Sequence, residues 1–513
     1  MPDHASQLKQ AFEAIHSELG GKSPVRSDAE YIAIADRFRR SGKPNWAIKT
    51  LERILTRGST DPNAGFVLAL SHRDLQDMES AYIAICEAAK RAPRRADIAF
   101  LKAQTAFETW RPATALFKKA LALAPHNAEL VKNAALALVS EGKTERGIEL
   151  LQQSLTDNPL WLEGHRQLAS IKTVMGYSSA DASYAAAAKL NPDHEGIRLG
   201  WFNLFAQSKN WEQARKILTE APDAMKASVA FKKVATFLRT ETGQTVDEEE
   251  LSKLASAEID AGFDLCRVRY YLRRDQAERA ERIAETYIGA HHQRMFWPYL
   301  SVCWRLLDDP RFDWLEGDGQ FISSVKLPFS SDELEQLAKI VRQLHMHQQP
   351  YLEQSVRGGT QTDRNLFFNP RSEIQDLRKK IQQAVEAYSS QFPAPTTQVH
   401  PLLSIRPKRF NFSGAWSVRL KRQGFHTTHT HVLGWVSSAL YISVPEKNEL
   451  GPAPSGYLSF GQPPAELETG LSSFYSVKPE PAKLVLFPSY TWHGTEPFSD
   501  GERLTVAFDV VPG

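Results

Sequence analysis

Prolines in the N-terminal part of the chain fall on a beat. Pro62, Pro93, Pro125, Pro159 and Pro192 are separated by 31, 32, 34 and 33 residues. A near-constant interval of this size means one supersecondary unit stacked on copies of itself, which confines the region to a solenoid. The same small–large–small set precedes three of the prolines: Ala81, Ile85, Ala88 before Pro93; Ala113, Phe117, Ala120 before Pro125; Ala180, Tyr184, Ala187 before Pro192. Spacings of four and three put each set on one helical face. The small members let a paired helix come close, and the large member fills the gap between units. Proline ends the helix, because it lacks an N–H and restricts the residue before it. Gly147, Leu151 and Ser154 before Pro159 form a weaker copy, and Ala280, Ala284 and Tyr287 carry the pattern toward residue 310.

Period and pattern together resemble the tetratricopeptide repeat, a helix–turn–helix unit of about 34 residues. The resemblance implies an N-terminal α-solenoid of tetratricopeptide-like repeats over residues 1–315, with a concave surface that takes a peptide or protein. At 513 residues the chain is too long for one ordinary core, so further domains are expected. A net charge of +2 gives no general reason to expect nucleic acid or an anionic membrane as partner. Cys86, Cys266 and Cys303 are too scattered for a disulfide framework and fit a reducing compartment. The N-terminus lacks an apolar stretch of signal-peptide length and no run of membrane-spanning length occurs, so the expected location is cytoplasmic.

The texture changes near residue 310. Asp308-Asp309-Pro310 and Glu316-Gly317-Asp318-Gly319 break helix, and residues 316–330 are expected to form a linker. Ser330 and Glu333 make a capping box for a helix to about His347, and Pro370 opens a second helix to about Ser390. These would flank, over 331–390, a domain reaching residue 513. From Val399 onward the chain breaks into short β-rich runs separated by Pro, Gly and Asn, the pattern of a sandwich or barrel core over 399–513.

That last region carries the chemistry. Residues two apart on a strand point the same way, so His429 and His431 are expected on one face. His493 follows the apolar run Leu484–Phe487 and a turn at Pro488-Ser489, and can join the pair if the two segments lie side by side. Such imidazoles can hold a redox metal and leave positions open. Arg503, Thr505, Ala507 and Asp509 share one face of the final strand. An arginine among small residues on that face calls for an anion, which a dicarboxylate would supply through a bidentate pair.

These motifs resemble the iron(II)- and 2-oxoglutarate-dependent oxygenases of double-stranded β-helix (jelly-roll) fold, and the bacterial group in which tetratricopeptide repeats precede such a domain. The segments that carry the resemblance are GFHTTHTHVLGWVSSALYISVP, GYLSFGQPP, KLVLFPSYTWHGTEPF and RLTVAFDVVP, with QSVRGGTQT upstream. It implies Fe(2+) held by His429, His493 and His431, 2-oxoglutarate gripped by Arg503, dioxygen as co-reactant, and a hydroxylase reaction that turns 2-oxoglutarate into succinate. Tyr441 is either a barrel-core aromatic or a hydroxyl contact to 2-oxoglutarate. Arg357 either sits in a structural turn or reaches a carboxylate in the site. His431 stands where this superfamily usually has a carboxylate, which leaves the metal one charge less neutralised; Asp509 is a distant candidate to replace it. His426 is expected to face solvent, His345 and His347 to diverge on a helix, and Trp416 and Trp435 to pack or rim a substrate slot. Three functions stay open: an oxygenase acting on a protein or peptide recruited by the repeats, a non-catalytic scaffold with a structural barrel, and a small-molecule oxygenase whose repeats serve assembly.

Overall fold

A computed structural model describes residues 4–21, 25–257, 259–346, 355–394 and 399–513. The chain divides into two compact units, Met1–Ser154 with Phe367–Ser372 and Leu155–Leu366 with Glu373–Gly513.

In the first unit, helices follow one another through short turns, among them Asp28–Arg40, Pro44–Thr56, Pro62–Asp74, Met78–Arg91, Ala96–Glu108, Thr114–Leu123 and Ala128–Ser140. This is the helix-pair succession of a tetratricopeptide-like solenoid. Ala81, Ile85, Ala88, Ala113, Phe117 and Ala120 are all exposed by 1% or less, so these two small–large–small sets are stripes that bury; in the third, Tyr184 and Ala187 are buried but Ala180 stands before the helix. The small residues allow backbone-to-backbone approach: a Cβ added at Gly65 would lie 3.1 Å from Ala88 Cβ and 3.2 Å from the Ala84 carbonyl oxygen. Pro93 and Pro125 stand just past helix ends at Ala92 and Ala124, as expected. Pro62 differs. It occupies the first turn of Pro62–Asp74 behind an Asp61 cap, where the missing N–H would have had no helical partner.

The second unit continues the helical pairs from Leu162–Val174 through Ala261–Leu272, Ala277–Glu285 and Trp297–Leu306 to Arg311–Leu315. Nine strands follow among the described residues: β1 Ser323–Lys326, β2 Val356–Gln361, β3 Phe410–His426, β4 Val436–Ser443, β5 Leu458–Phe460, β6 Tyr475–Val477, β7 Lys483–Pro488, β8 His493–Thr495 and β9 Arg503–Pro512. One sheet has the order β1-β7-β4-β9-β3-β2 and the other β6-β5-β8, with every pairing antiparallel. These sheets make the double-stranded β-helix. Residues 316–330, expected as a linker, hold β1, whose four residues pair with β7 and so extend the larger sheet.

Alternation along β9 separates two environments. Leu504, Val506, Phe508 and Val510 are fully buried on one face, while Arg503, Thr505 and Ala507 on the other line a cavity. The Ser330–Glu333 capping box is present, and its helix, Ser331–Gln343, packs against β4. That helix ends before His345; His347 lies outside the described residues. His345 is structural: its ring nitrogens bond Thr360 Oγ1 (2.9 Å) and Ser417 Oγ (3.0 Å). The expected second helix runs Ser372–Ser390 and buries Ile374, Leu377, Ile381, Val385 and Tyr388 at helical spacing. Among the described residues no helix is long and apolar enough to cross a membrane.

Candidate metal centre

His429 and His431 lie just beyond the end of β3, and His493 opens β8. An isolated bridge ties the segments: the His429 N–H donates to the His493 carbonyl and the His493 N–H to the His429 carbonyl, each at 3.0 Å. The three rings crowd together, with centroids 4.3 Å apart for His429–His493, 5.0 Å for His429–His431 and 5.1 Å for His431–His493. One ligand atom from each lies within 4.8 Å of the others, a spacing that fits a shared metal ion.

What surrounds each ring fixes its tautomer. His429 Nδ1 is 2.8 Å from the Thr427 carbonyl, His493 Nδ1 is 3.0 Å from the Thr491 carbonyl, and His431 Nδ1 is 2.7 Å from both carboxylate oxygens of Asp509. All three partners only accept, so each ring carries a hydrogen at Nδ1 and leaves Nε2 as the atom that could ligate. Burial, and next the neighbouring imidazoles, push His429 down to about 3 and His493 well below its ordinary value. Both are therefore neutral near pH 7, the form that ligates.

Asp509 resolves the departure noted in the sequence. It does not substitute for His431 at the metal position; it receives the His431 Nδ1–H, with Ser437 Oγ donating to the same carboxylate at 2.6 Å. The carboxylate thus lies behind the imidazole, on its Nδ1 side. Trp416 stacks on the His431 ring, 5.7 Å between centroids and 26° between planes.

The rings open into a cavity of about 270 Å³ whose walls include Arg503, Tyr441, Thr495, Trp416, Gln361 and Ser355. Arg503 is 2% exposed and donates to the Gly456 carbonyl (3.0 Å) and Thr495 Oγ1 (2.9 Å). Among the described residues it has no ion pair, and both its Nε and the Tyr441 hydroxyl are buried without a hydrogen-bond partner. Burial lowers the Arg503 pKa and raises that of Tyr441. A desolvated cation with a spare donor, beside a spare hydroxyl, is built to receive an anion. This donor set fits 2-oxoglutarate, and the three imidazoles fit a ferrous ion.

Residues 414–509 match the family model described as "Putative 2OG-Fe(II) oxygenase". That stretch of the C-terminal domain is similar to the family. Iron(II) and 2-oxoglutarate are accordingly its cofactor and cosubstrate, and no curated protein matches the chain. Among solved structures, similar ones include MamA (residue 41 to the end) from Desulfovibrio magneticus RS-1, at 20% identity over 33% of this chain and 98% of that one, TM-score 0.29. Another is a thermophilic tetratricopeptide-repeat protein of Thermus thermophilus, at 20% identity over 35% of this chain and 100% of that one, TM-score 0.26. A third is the viral collagen prolyl hydroxylase of Paramecium bursaria Chlorella virus-1 in its 2OG complex, at 16% identity over 38% and 97%, TM-score 0.26.

One expectation for the oxygenase domain needs correction. His426 does not face solvent. Its ring lines the cavity, with Nδ1 3.0 Å from Ser355 Oγ, and burial holds its pKa well below the ordinary value. Alternation misplaced it because residues 427–431 leave strand geometry after β3. Arg357 is exposed on β2 and bonds the Val356 carbonyl at 2.8 Å; a bulge at Gly358 (φ 68°) resets the strand, and Ser355 and Gln361 supply that wall of the cavity instead. Trp435 is a packing residue, 4% exposed with its Nε1 donating to the Leu402 carbonyl.

Proposed function

We propose that the chain is an iron(II)- and 2-oxoglutarate-dependent dioxygenase that hydroxylates a protein or peptide side chain recruited by its repeat helices. The observation that carries this reading is one cavity lined by three imidazoles, each held at Nδ1 by an acceptor, together with a buried arginine that lacks a counter-ion among the described residues.

In this reading His429, His431 and His493 hold the iron through Nε2, and Arg503 with Tyr441 receives the distal carboxylate of 2-oxoglutarate. When bound, iron and 2-oxoglutarate supply the oxidising chemistry, with one atom of dioxygen going to the substrate and the other to succinate. The chain's own residues do the placing. Thr427, Thr491 and Asp509 hold the three rings in orientation, and Trp416 closes one side of His431 against water.

Recruitment by the repeats is supported by a second hollow in the same compact unit. This cleft of about 420 Å³ is walled by Lys209 and Arg269 from the helices and by Pro463, Pro464 and Glu496 from the β-domain, and it shares His426, Gly494 and Thr495 with the metal cavity. A polypeptide lying in it would pass the mouth of the site. The test is succinate formation from 2-oxoglutarate by iron(II)-loaded full-length protein, and its loss in His493→Ala. Iron-loaded protein that never converts 2-oxoglutarate, with or without candidate peptides, would refute the assignment.

A further inference from the structure

The turn that delivers His493 is bonded, side chain by side chain, to the end of the helical array. The Tyr490 hydroxyl donates to the Leu315 carbonyl (2.7 Å), Thr491 Oγ1 to Glu316 Oε2 (2.8 Å) and Trp492 Nε1 to the Pro298 carbonyl (2.9 Å). All three residues are buried, and Glu316 itself is 3% exposed. Its other oxygen accepts from Ser301 Oγ at 3.2 Å, and among the described residues no ion pair neutralises it. The Thr491 carbonyl is the acceptor for His493 Nδ1. A continuous path therefore runs from Ser301 through Glu316 and Thr491 to the His493 ring.

A buried carboxyl that pairs with no cation at contact distance is costly in the folded chain, and an apolar side chain would serve packing better. The Ser301 bond holds the carboxyl and the Thr491 bond anchors the turn to it, and with it the Thr491 carbonyl on which the tilt of His493 depends. We propose that Glu316, contributed by the helical array, is a positioning residue for the metal centre, holding Thr491 so that its carbonyl aims His493 Nε2 at the other two imidazoles. The array is then part of the metal site as well as a route to it. This rests on the triad being the metal site.

The test is a titration of metal-free full-length protein with cobalt(II) alone, read by the visible absorption of the bound ion, beside the melting temperature of the metal-free protein. Glu316→Leu removes both acceptors, and Thr491→Val removes the donor while keeping the carbonyl. Each should weaken cobalt(II) binding by about 10- to 100-fold, the usual range for loss of a group that orients a ligand. The double variant should be no weaker than either single one, and Glu316→Gln, which keeps an acceptor, should restore binding to within about threefold. Melting temperature should not track these losses. Cobalt(II) binding of native strength in Thr491→Val, or in a folded Glu316→Leu protein, overturns the proposal. His493→Ala separates the two levels. If it too binds normally, the triad is not the metal site; if it alone loses binding, only the role of Glu316 falls.

Discussion

His431 Nδ1 lies 2.7 Å from each carboxylate oxygen of Asp509, a residue 78 positions later in the chain. The pair puts an anion behind the one imidazole that stands where a carboxylate ligand would otherwise be. Asp509→Asn keeps the size and an acceptor but removes the charge. We expect its metal affinity to fall by about 10- to 100-fold in a cobalt(II) titration, with its fold unchanged by circular dichroism. Native affinity in this variant would show that the charge behind His431 is not used.

Arg503 makes a different prediction, because it acts on the cosubstrate and not on the metal. Losing a charge-assisted bond to a carboxylate costs about 1.5–3 kcal/mol. Arg503→Leu should therefore raise the 2-oxoglutarate concentration needed for half-maximal succinate formation by about 10- to 100-fold. Cobalt(II) affinity should stay within about threefold, since Arg503 touches none of the three imidazoles. An unchanged 2-oxoglutarate requirement would remove Arg503 from the site.

Burial pushes the Glu316 carboxyl up to about 7. The folded chain then holds a proton that the unfolded chain releases above pH 4.5, so this group makes stability fall as pH rises from about 4.5 to 7, by about 3 kcal/mol in all. Glu316→Gln cannot titrate. Its stability relative to the native protein should climb through that window and level off above it, measured by denaturant unfolding at several pH values. A constant difference across the window would show that the carboxyl titrates normally.

Phe117 is the large member of its repeat's stripe and is 1% exposed. Phe117→Ala should cost about 3–5 kcal/mol, seen as an earlier thermal transition. A loss under about 1 kcal/mol would mean that the repeat's packing does not depend on the stripe.

Much of this was legible in the chain before any coordinates. The solenoid showed itself because successive units bury like stripes, so Ala81, Ile85 and Ala88 recur as Ala113, Phe117 and Ala120. Strand alternation places Arg503, Thr505 and Ala507 on the cavity face, whereas the roles expected of the three histidines and Arg503 came from the family resemblance. Alternation failed where the backbone is irregular: His426 was misplaced by the break after β3. The helical anchors of the His493 turn leave little trace in sequence, because Tyr490 and Trp492 bond the backbone carbonyls of Leu315 and Pro298, which any residue offers. Asp509 was recognised as inward-facing, but only distance shows that it serves His431.

The reciprocal amide bonds between His429 and His493 carry one more consequence. Because the main chain already brings two of the three rings together, the ion arrives as a guest and not as a staple. A chelator should strip it without unravelling the sandwich, and the vacated protein should take up a fresh ion at once, with no refolding delay.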